Sequence, residues 1–171
     1  MKALSIFAAT LLLAITALAG TPATTTVDAT AAFAKLKALA GTWEGTTDKG
    51  TARVTYEVIS GGNAVVEHET MSKMPEMLTV YYLDGNRLLL THYCMIGNQP
   101  RMEAQAFDPQ TGELRFQFLD ATNLANANAG HMHNATLHLT DNNHISAEWQ
   151  FFENGQPKFS EKVQYSRVAK N

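Results

Sequence analysis

Leu39-Ala40-Gly41-Thr42-Trp43-Glu44-Gly45 marks the point at which the hydrophobic period of this chain changes. Upstream, within 31–40, Phe33, Leu36, Leu39 and Ala40 recur at i, i+3, i+6 and i+7. That spacing predicts an amphipathic helix of two to three turns, with Thr30 placed to cap it and Gly41 to stop it. From Thr42 onward the period is 2, as in strands with one buried face. So short a helix has one apolar stripe to bury, and the end of a barrel offers a place for it.

Residues 53–59 alternate as a strand, Ser60-Gly61-Gly62-Asn63 turns the chain, and 64–71 returns as a hairpin partner. The same pattern predicts strands over 77–83, 87–95, 101–107, 113–120, 131–140, 144–152 and 158–168, with turn signals such as Asp84-Gly85-Asn86 between them. Residues 121–130 form one longer Asn/Ala-rich loop. No helical segment separates these strands, so parallel crossovers are not expected. The expectation is an all-β fold, an antiparallel up-and-down β-barrel of about eight to ten strands behind a short N-terminal helix, because closure removes both exposed edges. A β-sandwich is the alternative architecture.

The first residues read as a targeting segment. Lys2 supplies a positive start, residues 4–18 are apolar apart from Ser5, Thr10 and Thr16, and Ala17-Leu18-Ala19 is a small-x-small cleavage signal. This predicts a signal peptide over 1–19, a flexible Thr/Ala-rich mature N-terminus over 20–30, and one barrel domain over 31–171. The apolar run is roughly 15 residues, short of the ~20 that a bilayer-spanning helix needs, so no transmembrane span is expected after cleavage. Periplasmic or secreted localisation follows. The one cysteine, Cys94, leaves no internal disulfide, so the fold must rest on its apolar core. A formal net charge of −3 without a Lys/Arg patch argues against nucleic acid as a partner.

The 39–45 stretch resembles the opening of the calycin superfamily, which includes lipocalins, fatty-acid-binding proteins and ten-stranded nitrobindin-like barrels. The resemblance implies that Trp43 packs at the closed end of the barrel and that Arg167, from Tyr165-Ser166-Arg167-Val168, lies across its ring. It also implies a container for a small molecule. The rest of the chain is similar to exported bacterial proteins with a lipocalin-like domain. The missing disulfide pair is compatible with a bacterial member, and the missing helix after the strands leans toward the fatty-acid-binding or nitrobindin-like branch. Nitrobindin-like proteins hold haem through a histidine, but no histidine here matches that ligand.

Several residues are candidates for a site. His131 and His133 stand at i and i+2, on one face of a strand and roughly 6.5–7 Å apart. Alternation extends their face through Ala135, Leu137 and Leu139, so it is expected to look inward. His92 shares a face with Leu88, Leu90 and Cys94 and is also expected inward. If the barrel brought all three histidines together they could hold a metal; otherwise they are polar lumen or rim residues. The densest polar cluster runs over 91–101, where Arg101 could pair with a ligand carboxylate while His92, Tyr93 and Gln99 hydrogen-bond it. The competing reading is an ordinary turn with a satisfied strand-end histidine. Cys94 and His92 lie too far apart along one strand for a nucleophile–base pair, and no acid orients them. Glu67-His68-Glu69 reads as surface. Met71, Met74 and Met77 flank Pro75 and form either a greasy lid at a barrel mouth or packing under a loop.

These features predict a barrel that binds a small apolar or amphiphilic molecule, with a ligand-contacting set of His92, Tyr93, Gln99, Arg101, His131 and His133. The cofactor is left open. The alternatives are a metal- or haem-dependent protein using the inward histidines, and a structural or partner-binding exported domain with a filled core. A packed interior would favour the last.

Overall fold

The computed structural model describes residues 27–47 and 50–169. The leader and residues 20–26 of the expected flexible N-terminus lie outside these residues, and Ala29 and Thr30 of that segment belong to the helix. Helix α1 spans Ala29–Ala38, and ten strands follow: β1 Gly41–Thr47, β2 Gly50–Ile59, β3 Ala64–Met71, β4 Met77–Asp84, β5 Arg87–Tyr93, β6 Gln99–Asp108, β7 Glu113–Thr122, β8 His131–His138, β9 His144–Glu153 and β10 Gln156–Arg167. Each strand pairs antiparallel with its sequence neighbours, and β1 pairs with β10, so the sheet closes. The sandwich alternative is thereby excluded.

The helix starts earlier than its spacing predicts. Its N-cap is Asp28, not Thr30, and the Asp28 carboxylate accepts from the Ala31 N–H at 2.9 Å. An acceptor there satisfies a backbone donor that the first turn leaves unpaired. The buried stripe is Ala29, Ala32, Phe33 and Leu36, continued by Leu39, while Ala40 is exposed. Burying Phe33 and Leu36 contributes roughly 1.5–3 kcal/mol each. The helix packs against β2, β4, β5 and β6, and with Trp43 it fills the end of the barrel at which β1 begins.

Alternate hairpins of a meander lie at opposite ends of the barrel. The 60–63, 85–86 and 139–143 turns share the helix end, whereas Met71, Met77, His92, the 94–98 turn and the 123–130 loop share the other end, the mouth. Register shifts interrupt three strand pairs. The β6–β7 register shifts between Arg101 and Met102 and again between Ala104 and Ala106, the β8–β9 register between Met132 and Asn134, and the β9–β10 register between Pro157 and Phe159. A bulge of this kind reverses which residues face inward beyond it.

Candidate functional site

The interior is apolar at the helix end and turns polar toward the mouth. On β2–β5, four inward residues stand in one cross-strand row: Tyr56 opposite Glu67, Glu67 opposite Thr79, and Thr79 opposite His92. All four are buried. Tyr81 donates to Glu67 Oε2 at 2.7 Å, and Tyr56 hydrogen-bonds the same carboxyl. One step toward the mouth, Glu69 Oε1 accepts from the Tyr165 hydroxyl at 3.1 Å. Tyr165 belongs to β10 and reaches Glu69 on β3 across β1 and β2. Its partner on β1 is Gly45, whose own partner on β2 is Ala52, so two small residues leave the ring its path. A Cβ on Gly45 would stand 2.3 Å from the Gln164 carbonyl oxygen and 3.1 Å from Tyr165 Cδ1.

Burial pushes both carboxyls up. Glu69 titrates at about 8, desolvation being the main cause and the neighbouring Glu67 charge adding to it, against the lowering effect of the Tyr165 hydrogen bond. Glu67 is also raised by burial, which outweighs the hydrogen bonds from Tyr81 and Tyr56. Glu69 is therefore a carboxylic acid rather than a carboxylate over much of the neutral range, and a neutral acid can donate as well as accept.

His92 is 2% exposed. Its Nδ1 lies 3.0 Å from Thr79 Oγ1, and its ring is 4.9 Å from the ring of Trp149. Its Nε2 is buried without a hydrogen-bond partner. Burial lowers its pKa to about 4, so the imidazole is neutral. Beside it is a cavity of about 10 Å³, whose wall includes Glu69, Met71, Met77, Met132, Trp149 and Tyr165. That is room for about one water. Larger hollows of about 430 and 510 Å³ lie outside the barrel, against polar side chains such as Gln105, Gln117 and Gln150 for the first and Thr46, Ser146 and Gln164 for the second.

Of the ligand-contacting set expected from the sequence, His92 lies in the interior. Tyr93, Gln99 and Arg101 do not line its cavity. Tyr93 is 47% exposed. Arg101 forms a two-pronged ion pair with Asp120 on the surface, its Nε 2.6 Å from Asp120 Oδ1, and this partner raises its pKa. Gln99 Oε1 accepts from Thr122 Oγ1 at 2.6 Å, and its amide donates to the Gly97 carbonyl at 3.0 Å. The polar 91–101 stretch is thus largely turn architecture, with Asn98 donating to the Gly130 carbonyl at 2.8 Å to tie the turn to the long loop.

The bulge at His133 breaks the alternation on which the His131–His133 expectation rested: Met132 joins Ala135 in the core and lines the cavity, while His131, 5% exposed, is buried against Phe118 and His133. His131 Nε2 and His133 Nδ1 lie 2.9 Å apart, and His131 Nδ1 lies 2.8 Å from the Ala129 carbonyl. His133 stacks on Phe118 and Phe152, at 4.9 and 4.1 Å between centroids. The pair does not meet His92, and among the described residues no group of three or more His, Cys, Asp or Glu is gathered. Burial and the adjacent His131 lower the pKa of His133.

Glu67 and Glu69 need correction as well. Only His68 of that run faces out, its Nδ1 3.0 Å from Glu76 Oε1. Parity with Val65 and Met71 was the available signal, together with inward tyrosines on neighbouring strands. Cys94 is buried, and burial pushes its thiol up, away from the reactive thiolate. Met71 and Met77 are buried in the cavity wall, and Met74 packs against the core from the connecting loop. Trp43 and Arg167 are cross-strand partners with the guanidinium over the indole, as the resemblance implied.

No protein-family model matches this chain, and no curated protein matches it. Among solved structures it is similar to a protein of unknown function from the DUF3598 family of Nostoc punctiforme PCC 73102, at 7% identity and a TM-score of 0.25, covering 78% of this chain and 99% of the other.

Proposed function

We propose that this protein is an exported, calycin-like barrel that binds a small molecule at the mouth end of its interior, against His92. The observation that carries this proposal is the buried His92 Nε2 without a partner. A buried polar atom left unpaired costs about 1–3 kcal/mol, and a ligand that engages it recovers that cost. The wall around it has the composition of a binding site: mostly apolar, with a few placed polar groups, here His92, the Glu69 acid and Tyr165. An occupant larger than one water enters by displacing Met71, Met77 or Met132, whose unbranched side chains re-pack at low cost. The ligand class is therefore small, with an apolar body and one hydrogen-bonding or coordinating group. The leader-like sequence of 1–19 supports export.

Native mass spectrometry of protein isolated from its own host tests the proposal. The expected result is a bound mass that disappears in a His92→Leu/Thr79→Val variant, in which both partners of the buried bond become apolar together. Unliganded protein in every preparation would overturn it. A second reading, a partner-binding or structural domain with a filled core, is favoured by the small size of the cavity, about 10 Å³. It predicts that unliganded outcome.

A further inference from the structure

Three thioethers and one imidazole nitrogen converge on the same buried space. Met71 ends β3, Met77 begins β4, and Met132 lies beside the β8 bulge, yet all three line the cavity that His92 lines. They are 8%, 6% and 8% exposed, so none is turned out to solvent. The Nε2 of His92 has no hydrogen-bond partner, and Thr79 occupies the other ring nitrogen. With Nδ1–H donating to Thr79 Oγ1, Nε2 is the lone-pair nitrogen of a residue in the cavity wall, held by a hydrogen bond on its other ring nitrogen, the arrangement that orients an imidazole ligand.

From this convergence we infer that the cavity is a site for a soft monovalent metal ion, Cu(I) in the cell and Ag(I) as its redox-inert analogue, held by His92 Nε2 and thioether sulfurs of Met71, Met77 and Met132. This places an ion, not a molecule with an apolar body, against the same His92, and rests on the reading above only in that the cavity is a binding site. Thioethers are soft donors that select Cu(I) over hard cations, and a neutral imidazole suits the same ion. The ligand set carries no charge, and desolvating a divalent ion there would cost far more than a monovalent one. A cavity of about 10 Å³ suits a single ion and is too small for a bulky organic cofactor.

The experiment uses the chain as its host processes it, carrying Cys94→Ala so that the lone thiol cannot compete. Ag(I) is titrated directly, and Cu(I) is titrated against a coloured Cu(I) chelator under reducing conditions. The expected result is one equivalent bound of each, no uptake of Zn(II), and movement of the Met71, Met77 and Met132 ε-methyl NMR signals while those of Met95 and Met102 stay in place. Paired Met71→Leu/Met132→Leu substitutions preserve apolar volume and should abolish stoichiometric uptake while melting stays close to the parent's. His92→Leu/Thr79→Val should do the same, and if that variant fails to fold the methionine pair decides.

Complete retention of the metal by the chelator overturns the inference, as does undiminished uptake in the folded methionine variant. If an organic molecule occupies the cavity in a His92-dependent way while Ag(I) does not bind, the ion is wrong and the small-molecule barrel stands. If neither binds, both fall.

Discussion

The guanidinium carbon of Arg167 lies 4.0 Å from the centre of the Trp43 ring, and the two residues are direct partners across the β1–β10 closure. The same guanidinium donates to the carbonyls of Ala38 at 3.1 Å, Ala40 at 2.9 Å and Asn142 at 2.6 Å. Trp43 Nε1 donates to the Leu39 carbonyl at 2.8 Å. First strand, last strand and helix C-terminus are thus joined at one point. A cation there also satisfies helix carbonyls left unpaired by the end of the helix. Gly41, with φ at +128°, gives the guanidinium its space, since a Cβ there would stand 3.0 Å from Nη1.

Trp43→Ala should therefore cost roughly 3–5 kcal/mol, the range for a fully buried large aromatic. Arg167→Lys keeps the charge but loses the planar fork, and should cost about 1–2 kcal/mol through the carbonyls it leaves unpaired. Urea unfolding measures both. Neither change should selectively weaken binding at the far end of the barrel, and loss of binding with an unchanged midpoint would contradict this division of roles.

Gly45→Ala tests the path of Tyr165. Its Cβ would press on the Gln164 carbonyl oxygen, 2.3 Å away, and that backbone atom cannot swing aside as a side chain would. Overpacking of this kind typically costs about 1–3 kcal/mol. The tyrosine signal should shift with it, because the Tyr165–Glu69 bond depends on the same gap. Unchanged stability and an unchanged Tyr165 environment by NMR would show that the strands yield without strain.

Stability should fall as pH rises from about 6.5 to about 8. Glu69 holds its proton to about 8 in the fold and releases it near 4.5 when unfolded, so across that interval the folded state binds more protons. Stability then declines with pH, by at most ~1.4 kcal/mol per pH unit for each such group. Glu67 acts in the same direction. His92 opposes them only below its ordinary value of 6.5, because its folded pKa is about 4 and the unfolded chain takes up the proton first. Glu69→Gln keeps an acceptor for Tyr165 and should flatten part of the decline, and Glu67→Gln should act in the same direction. An unaltered slope in the double variant would show that these acids do not carry it.

Arg101→Met should change stability by less than ~1 kcal/mol, because an ion pair this exposed contributes little. It should leave binding intact, since Arg101 is engaged with Asp120 outside the barrel. Loss of ligand in this variant would move the site from the interior to the outer rim.

The closure was legible through the resemblance that the 39–45 stretch carries, which implied the contact of Trp43 with Arg167 that the first and last strands make. The meander was legible because the strands alternate over most of their length and turn signals separate them, despite bulges on β6–β7, β8–β9 and β9–β10. His133 defeated the same rule. A bulge inserts one residue, and nothing in His131-Met132-His133-Asn134 distinguishes an extra residue from a regular one. Glu67 and Glu69 were obscured for another reason. Strand 64–71 carries Val65 and Met71 on one face and Ala64 and Val66 on the other, so alternation alone does not choose the inward side. Their partners Tyr56, Tyr81 and Tyr165 lie on three other strands, and only the closed barrel brings them together. The cavity is less legible still, because it is volume left over between side chains as far apart in sequence as Met71 and Tyr165.

The most direct test is the electron density beside His92 Nε2 in crystals of protein isolated from its own host. A bound species other than water, within hydrogen-bonding or coordination distance of Nε2 and flanked by Met71, Met77 and Met132, is the predicted result. A lone water at that nitrogen, or side chains closed over it in every crystal, would contradict a binding function for this barrel.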